Sequence, residues 1–333
     1  KACTKNEVLA WEKISMGKGR IFNTVDLVLN LLLRKYVLPI LVFLVDHPYE
    51  SGMNVAMNAG GRDWDDMVKR LLAFPKSCDA DYEHYDSSHA EMLKWYRYVV
   101  VKLALKYGYS EENTRKVDRL LAAMEVFTYI IGSDVCVCSF LASGRTDTIH
   151  ANCIINVVLF YGCIFSDKEN LKLSWLEITK LTLILATGDD HVWSASDKVV
   201  ISGSLLQKFV ARCGYSMTSS DKKKEITEKV PLELGYLKRK TRMHECGLYV
   251  GALEEQSIYK SLCYMVENMV GPDLDARMRN TVFSAQREFF LHGKEAFDGF
   301  QRALPSEYGR LSWDDLLKSI SNNTFYSWEA GPV

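Results

Sequence analysis

Several things are scarce in this sequence, and each scarcity closes off a class of protein. Only 7 prolines are spread over 333 residues and there is no low-complexity tract, which excludes collagen-like and disordered chains. The longest apolar runs, Val37 to Val45 and Cys153 to Phe165, stop short of the roughly 18 residues that suggest a membrane span. The first also contains Pro39 and follows Arg34-Lys35, so no transmembrane segment is expected. An excess of one charge is missing too. Lys and Arg number 41 against 42 Asp and Glu, a net charge of −1, which argues against nucleic-acid binding by bulk charge but leaves room for a local basic groove. The 9 cysteines include no CxxC pair and follow no visible signal peptide, the pattern of a reducing compartment. Cys136 and Cys138 alternate in a strand-like run and read as strand residues rather than metal ligands. The chain starts at Lys1 without Met, as a fragment or processed product would.

What is present is an ordinary globular composition, 48% hydrophobic and 25% charged, long enough for two packing units at about 150 residues each. Residues 51–61 read as loop and Lys76 to Tyr82 as a short strand. Ser88 and Glu91 have capping-box spacing ahead of a helix with apolar positions at Met92, Trp95, Val99 and Leu103. A second helix is expected from about Ser110 to Ile131. Thr148 to Phe165 is apolar nearly all round, which predicts a deeply buried helix. Leu181 to Ala186 and Val192-Trp193 read as the two strands of a hairpin, with residues 187–191 at its tip. Leu205 to Cys213 reads as a helix stopped by Gly214, residues 217–250 as turns and short strands, and the chain from Glu254 to about residue 320 as mainly helical.

Gly188-Asp189-Asp190 puts two adjacent carboxylates at the tip of an apolar hairpin, where a cation would offset their charge; a solvated Gly-Asp turn is the alternative. Asp81 ends the short strand and Asp86 follows five residues on. Carboxylates on neighbouring strand ends suit hard divalent ions such as Mg²⁺. Two such ions about 3.5–4 Å apart can hold the attacking and leaving oxygens of a phosphoryl displacement. In Ser143-Gly144-Arg145-Thr146-Asp147-Thr148-Ile149-His150-Ala151-Asn152, Thr148 and Asn152 lie four apart on one helix face. That pair is either a polar site or a helix N-terminus with a satisfied buried Asn.

The ordered set Asp-x4-Asp, Ser-Gly-x3-Thr-x3-Asn and Gly-Asp-Asp strongly resembles motifs A, B and C of viral RNA-dependent RNA polymerases of the picornavirus-like group. Lys5-Asn6-Glu7, Lys13 and Gly17-Lys18-Gly19-Arg20-Ile21-Phe22 resemble motif F. Residues from Tyr215 to Lys222 resemble motif D, and Gly235-Tyr236-Leu237-Lys238-Arg239-Lys240 resembles motif E. Two positions depart from the pattern: Thr187 stands where motif C commonly has Tyr, and Leu9 where motif F usually has Arg. The segment that precedes motif F in the family's polymerases is absent from this sequence, so the resemblance implies a partial polymerase.

The resemblance implies an α+β right hand. Residues 1–75 and 108–140 would be fingers, 76–107 and 141–250 palm, and 251–333 a helical thumb. The activity implied is template-directed RNA synthesis from NTPs by two-metal nucleotidyl transfer, with two Mg²⁺ ions or Mn²⁺ in their place. Asp81 and Asp189 would be metal ligands, with Asp190 in support. Lys222 would donate a proton to pyrophosphate, or else be a solvated lysine in its basic run. Lys13 and Arg20 would hold the triphosphate, and Asp86, Thr148 and Asn152 would check the ribose. Ser143 and Gly144 would shape a loop beside the template–NTP pair; Lys5 and Lys18 would line the channel; Lys238, Arg239 and Lys240 would hold primer phosphates, or else any one of them would belong to a solvated basic turn. The implied partners are an RNA template and primer, NTPs, a protein primer and other viral replication proteins, at membrane-associated complexes in the host cytoplasm. The rival readings are a reverse transcriptase, in which a bulky ring commonly replaces Asp86, and a non-catalytic RNA-binding fragment.

Overall fold

The computed structural model describes residues 2–4, 9, 11–17, 19, 21–131, 133–221, 225–264 and 273–326. The chain divides into two compact units, residues 1–55 with 80–227 and residues 56–79 with 228–333.

Strands β1 (Ala2–Thr4) and β2 (Ile21–Asn23) pair antiparallel on either side of helix α1 (Trp11–Ser15). Helices α2 (Leu27–Tyr36), α3 (Leu38–Asp46), α4 (Pro48–Ser51) and α5 (Arg62–Leu71) follow. Strand β3 (Lys76–Glu83) leads to α6 (Met92–Lys106), α7 (Glu111–Ala123) and the hairpin β4 (Phe127–Ile131) and β5 (Asp134–Cys138). Next come α8 (Thr148–Phe165), α9 (Trp175–Leu181), the hairpin β6 (Thr182–Thr187) and β7 (Asp190–Ala195), α10 (Gly203–Arg212) and β8 (Ser216–Thr218). Strands β9 (Gly235–Tyr236), β10 (Arg239–Met243) and β11 (Tyr249–Leu253) precede four helices. These are α11 (Glu255–Cys263), α12 (Leu274–Leu291), α13 (Lys294–Ala303) and α14 (Trp313–Ser321).

In the first unit four strands pair in the order β6-β7-β3-β8, which puts β3 between the hairpin and β8. Helix α8 packs against β6, α6 and α10. Its all-round apolar sequence makes this interior position stable: Ile155, Leu159, Phe160 and Ile164 are buried, each worth roughly 1.5–3 kcal/mol. By length and composition alone α8 could cross a membrane, yet 56% of it is buried within the protein. In the second unit β10 lies between β9 and β11. Phe290, Phe297, Leu316, Ile320 and Phe325 form a core with Val250. Trp64 of α5 is buried and donates from Nε1 to Thr241 at 3.1 Å. A Cβ at Gly251 would come within 2.7 Å of that indole, so the ring's seat requires glycine.

Three expectations need correction. Helix α6 starts at Met92, and its buried stripe is Leu93, Tyr96, Val100 and Ala104, one position on from the stripe read in the sequence. Trp95 and Tyr98 are exposed. The capping box fails because His84 takes a left-handed conformation and receives the hydroxyls of Ser87 and Ser88, forming a 3-10 turn over Tyr85–Ser88. The second helix ends at Ala123, and Phe127–Ile131 pairs with Asp134–Cys138 as a hairpin, in keeping with its β-branched and aromatic residues. Cys136 and Cys138 are surface residues of that hairpin.

Candidate active site

Thr187 pairs with Asp190, so the β6–β7 loop is Gly188 and Asp189 alone. Gly188 has φ +70°, and Asp189 is not among the residues with positive φ. That is the II′ arrangement, in which glycine takes the first loop position and the turn follows the strands' twist. Helix α8 holds this turn. Gly188 N–H donates to Cys153 Sγ at 3.1 Å, and Asn156 Nδ2 donates to the Gly188 carbonyl at 3.3 Å. Cys153 donates in turn to the Ala186 carbonyl at 3.2 Å; burial pushes its thiol up to about 12, so the proton stays on sulfur. Thr187 donates from Oγ1 to the Asn54 carbonyl, so the residue that departs from the motif ties β6 to the segment after α4.

Around this turn lies a cavity of about 430 Å³ whose lining includes Asp86, Ser143, Asn152, Asp189, Tyr82 and Tyr85. Three of the sequence motifs therefore meet at one opening. Asn152 Nδ2 donates to Asp86 Oδ1 at 2.9 Å, and Tyr85 OH donates to the Asn152 carbonyl at 3.2 Å. Tyr85 stacks on Tyr82 with ring centroids 4.2 Å apart, and Tyr82 OH donates to Asn156 Oδ1 at 3.4 Å. Thr148 does not line the cavity; its hydroxyl is turned onto the Ala142 and Arg145 carbonyls, at 2.8 and 3.0 Å.

The Ser143-Gly144 loop is clamped to β2 and α2. Asn23 N–H donates to Ser143 Oγ at 3.2 Å, and Gly144 N–H donates to the Asn23 carbonyl at 2.9 Å. Asn30 donates to the Gly144 carbonyl at 3.1 Å and accepts from Thr146 N–H at 3.1 Å. A Cβ at Gly144 would lie 2.3 Å from the Asn23 carbonyl oxygen, so the close approach requires glycine. Below the loop, Arg145 and Asp147 form a buried pair at 2.7 Å, completed by Tyr96 OH at 2.7 Å. Burial opposes the Asp147 charge, but the Arg145 guanidinium and Tyr96 overcome it and hold the carboxyl below its ordinary range.

Asp81 lies on β3, opposite Thr218 of β8 and one strand over from the hairpin bearing Asp189 and Asp190. Among the described residues no group of three or more His, Cys, Asp and Glu side chains is gathered closely enough to hold a metal ion. Mg²⁺ typically takes only one or two carboxylates and fills its octahedron with water and substrate phosphates, so carboxylates on adjacent strands are a donor set that fits it. Lys5, Lys18, Arg20 and Lys222 lie outside the described residues, as does the side chain of Lys13.

In the second unit Lys238 and Lys240 are exposed on the β9–β10 hairpin, but Arg239 is not available to a primer. Its guanidinium donates to both oxygens of Glu288, at 2.7 and 2.8 Å, and to the Gly251 carbonyl at 2.8 Å. Tyr326 completes the arrangement by donating to Glu288 at 2.9 Å. The run read as primer contacts or a solvated basic turn is thus two exposed lysines around a structural arginine. Sequence reasoning also missed His89, Cys153 and Asn156. Asn156 was within reach, since it follows Asn152 by four positions on an otherwise apolar helix. His89 and Cys153 carried no local signal.

The arrangement has counterparts. The solved Sicinivirus 3Dpol RNA dependent RNA polymerase is similar to this chain with a TM-score of 0.77, covering 98% of the chain and 67% of that structure at 14% identity. The likeness defines the fold as an α+β right-hand polymerase. The sequence profile described as viral RNA-dependent RNA polymerase matches residues 1–327, and the chain belongs to that family. Among its relatives are the RNA1 polyprotein of Arabis mosaic virus (isolate NW), 28% identical over 296 residues, and the replicase polyprotein of Drosophila C virus (strain EB), 23% identical over 319. These alignments take in 86% and 88% of the chain but only 13% and 17% of the polyproteins.

Proposed function

We propose that this chain carries out template-directed RNA synthesis, joining an RNA 3′-hydroxyl to the α-phosphate of an NTP with release of pyrophosphate, in the replication of a positive-strand RNA virus genome. The observation that carries the reading is the cavity where Asp86, Asn152 and Asp189 converge. Asp81 and Asp189 would hold Mg²⁺ or Mn²⁺, with Asp190 in support; the bound ions would stabilise the attacking and leaving oxygens.

The chain's own residues do the rest. Asp86 and Asn152 read the ribose hydroxyls, and a site built for a hydroxyl leaves polar groups unpaired when a deoxy analogue enters. Thr148 keeps the Ser143-Gly144 loop in shape through its backbone bonds and reaches the ribose only indirectly. Lys13 and Arg20 take the triphosphate, Lys222 protonates the pyrophosphate, and Lys5, Lys18, Lys238 and Lys240 contact RNA, with binding that weakens as salt rises. On this reading residues 76–107 and 141–250 are the palm and 251–333 the thumb. A reverse transcriptase is disfavoured, because position 86 holds a carboxylate bonded to an amide where such enzymes place a ring. Primer extension on poly(A) with oligo(U) and UTP tests the reading. UMP incorporation that depends on Mg²⁺ or Mn²⁺ and is lost in Asp189→Ala is expected; incorporation indifferent to that substitution would remove Asp189 from the site.

A further inference from the structure

Behind the cavity, four side chains form one file of hydrogen bonds. Tyr215 OH lies 2.8 Å from His89 Nδ1, His89 Nε2 lies 2.8 Å from Asn152 Oδ1, and Asn152 Nδ2 lies 2.9 Å from Asp86 Oδ1. The chemistry of the end member sets the direction of every bond. A carboxylate only accepts, so the amide NH₂ must face Asp86 and its oxygen must face His89. His89 Nε2 must then carry the proton, which leaves Nδ1 of the neutral ring as an acceptor for the Tyr215 hydroxyl. Burial keeps that ring neutral, lowering the imidazole to about 4 against the opposing pull of Asn152 and Asp86. His89 and Tyr215 are both buried, and neither lines the cavity. Their rings pack with Tyr82 and Tyr85, so the file is rigid as well as polarised.

We propose that His89 and Tyr215 are positioning residues of the ribose check: they lock the Asn152 amide in the one rotation that turns its NH₂ toward Asp86 and the sugar, and so set selection of ribose over deoxyribose. This rests on the nucleotide reading of the cavity. Without the His89 proton, the Asn152 oxygen loses its buried donor and the amide is anchored only by its bond to Asp86. Its NH₂ then competes with the sugar hydroxyls for that carboxylate without a fixed position, and the acceptor and donor offered to the ribose lose their alignment. The file also joins the start of α6 and the approach to β8 to the ribose site, so the check is held by three segments distant in sequence.

The test is primer extension on poly(U) by the full chain, with kcat/KM measured for ATP and for dATP. In His89→Leu the ATP/dATP ratio should fall about tenfold, chiefly through ATP, as expected for one misdirected buried hydrogen bond. In His89→Gln, whose amide can donate to Asn152 Oδ1, most of the ratio should return. Tyr215→Phe keeps the ring packing and loses only the hydroxyl; its ratio should fall about threefold. A purely structural role would lower both rates together and leave the ratio alone, so ratios unchanged in His89→Leu and Tyr215→Phe overturn the proposal. If His89→Leu does not fold, Tyr215→Phe and His89→Gln decide. An unsubstituted chain that incorporates neither nucleotide strikes the nucleotide reading itself. One that selects ATP as strongly as its variants do overturns only the relay.

Discussion

Asp79 receives two hydrogen bonds from Lys229 Nζ, at 3.0 and 2.9 Å, and a third from the Gly235 N–H at 2.8 Å, and it is fully buried. Asp86, seven positions later, is held by an amide at the end of a neutral donor chain and faces a cavity. Both are aspartates at the β3 region of the sequence, and local propensity does not distinguish them. What separates them is the partner. A carboxylate matched by a fixed cation is neutralised and serves as scaffold, whereas one oriented by an amide keeps its charge for whatever enters the cavity. Arg145 and Arg239 fall on the scaffold side of the same division, each matched to a buried acid.

Substitutions on each side can break or sharpen this contrast. The largest effect is expected on the cavity side: Asp189→Ala should slow nucleotidyl transfer at least about 10³-fold, several kcal/mol of lost charge stabilisation, as read by single-turnover primer extension. On the scaffold side Lys229→Met removes the ammonium that donates to both oxygens of buried Asp79 and should lower unfolding free energy by about 3–5 kcal/mol in a denaturant titration. Recovery in the double substitution with Asp79→Asn would confirm that the penalty is the stranded charge. A loss below about 1 kcal/mol would instead put Asp79 in the same class as Asp86.

His89 gives the contrast a pH signature. Burial depresses its imidazole from 6.5 to about 4, so the unfolded chain takes up a proton that the native one refuses. Its contribution is complete above pH 6.5 and lost as pH falls toward 4, by about 3 kcal/mol. His89→Gln should flatten that part of the stability–pH curve. The smallest effects are expected at Lys238→Ala and Lys240→Ala. Stability should change by no more than about 0.5 kcal/mol, while the salt dependence of RNA binding should drop by about one unit of slope for each lysine that grips a phosphate.

The parts of this molecule legible in the sequence are those whose cause is local. The β6–β7 hairpin follows from apolar strands around a glycine that must adopt positive φ, and α8 follows from a segment that is apolar on nearly every side. The meeting of Asp86 with Asn152 was readable from motif spacing and family resemblance together. The failures have non-local causes. Arg239 finds Glu288, 49 positions away, and no pattern near residue 239 announces it. The α6 stripe was misjudged because large aromatics usually mark a buried face, whereas Trp95 and Tyr98 pack edge to face on each other at the surface. Residues 124–131 continue a plausible helix in the sequence, whereas the backbone of Phe127–Ile131 pairs with Asp134–Cys138 as a strand.

The sulfur of Cys153 receives the Gly188 N–H and is wholly enclosed. An alkylating reagent can reach it only in moments when the aspartate-bearing loop lifts away from the helix beneath. Its slow labelling, set against the rapid labelling of exposed Cys136 and Cys138, would therefore act as a built-in stopwatch for opening and closing of the turn, with no need to attach a probe.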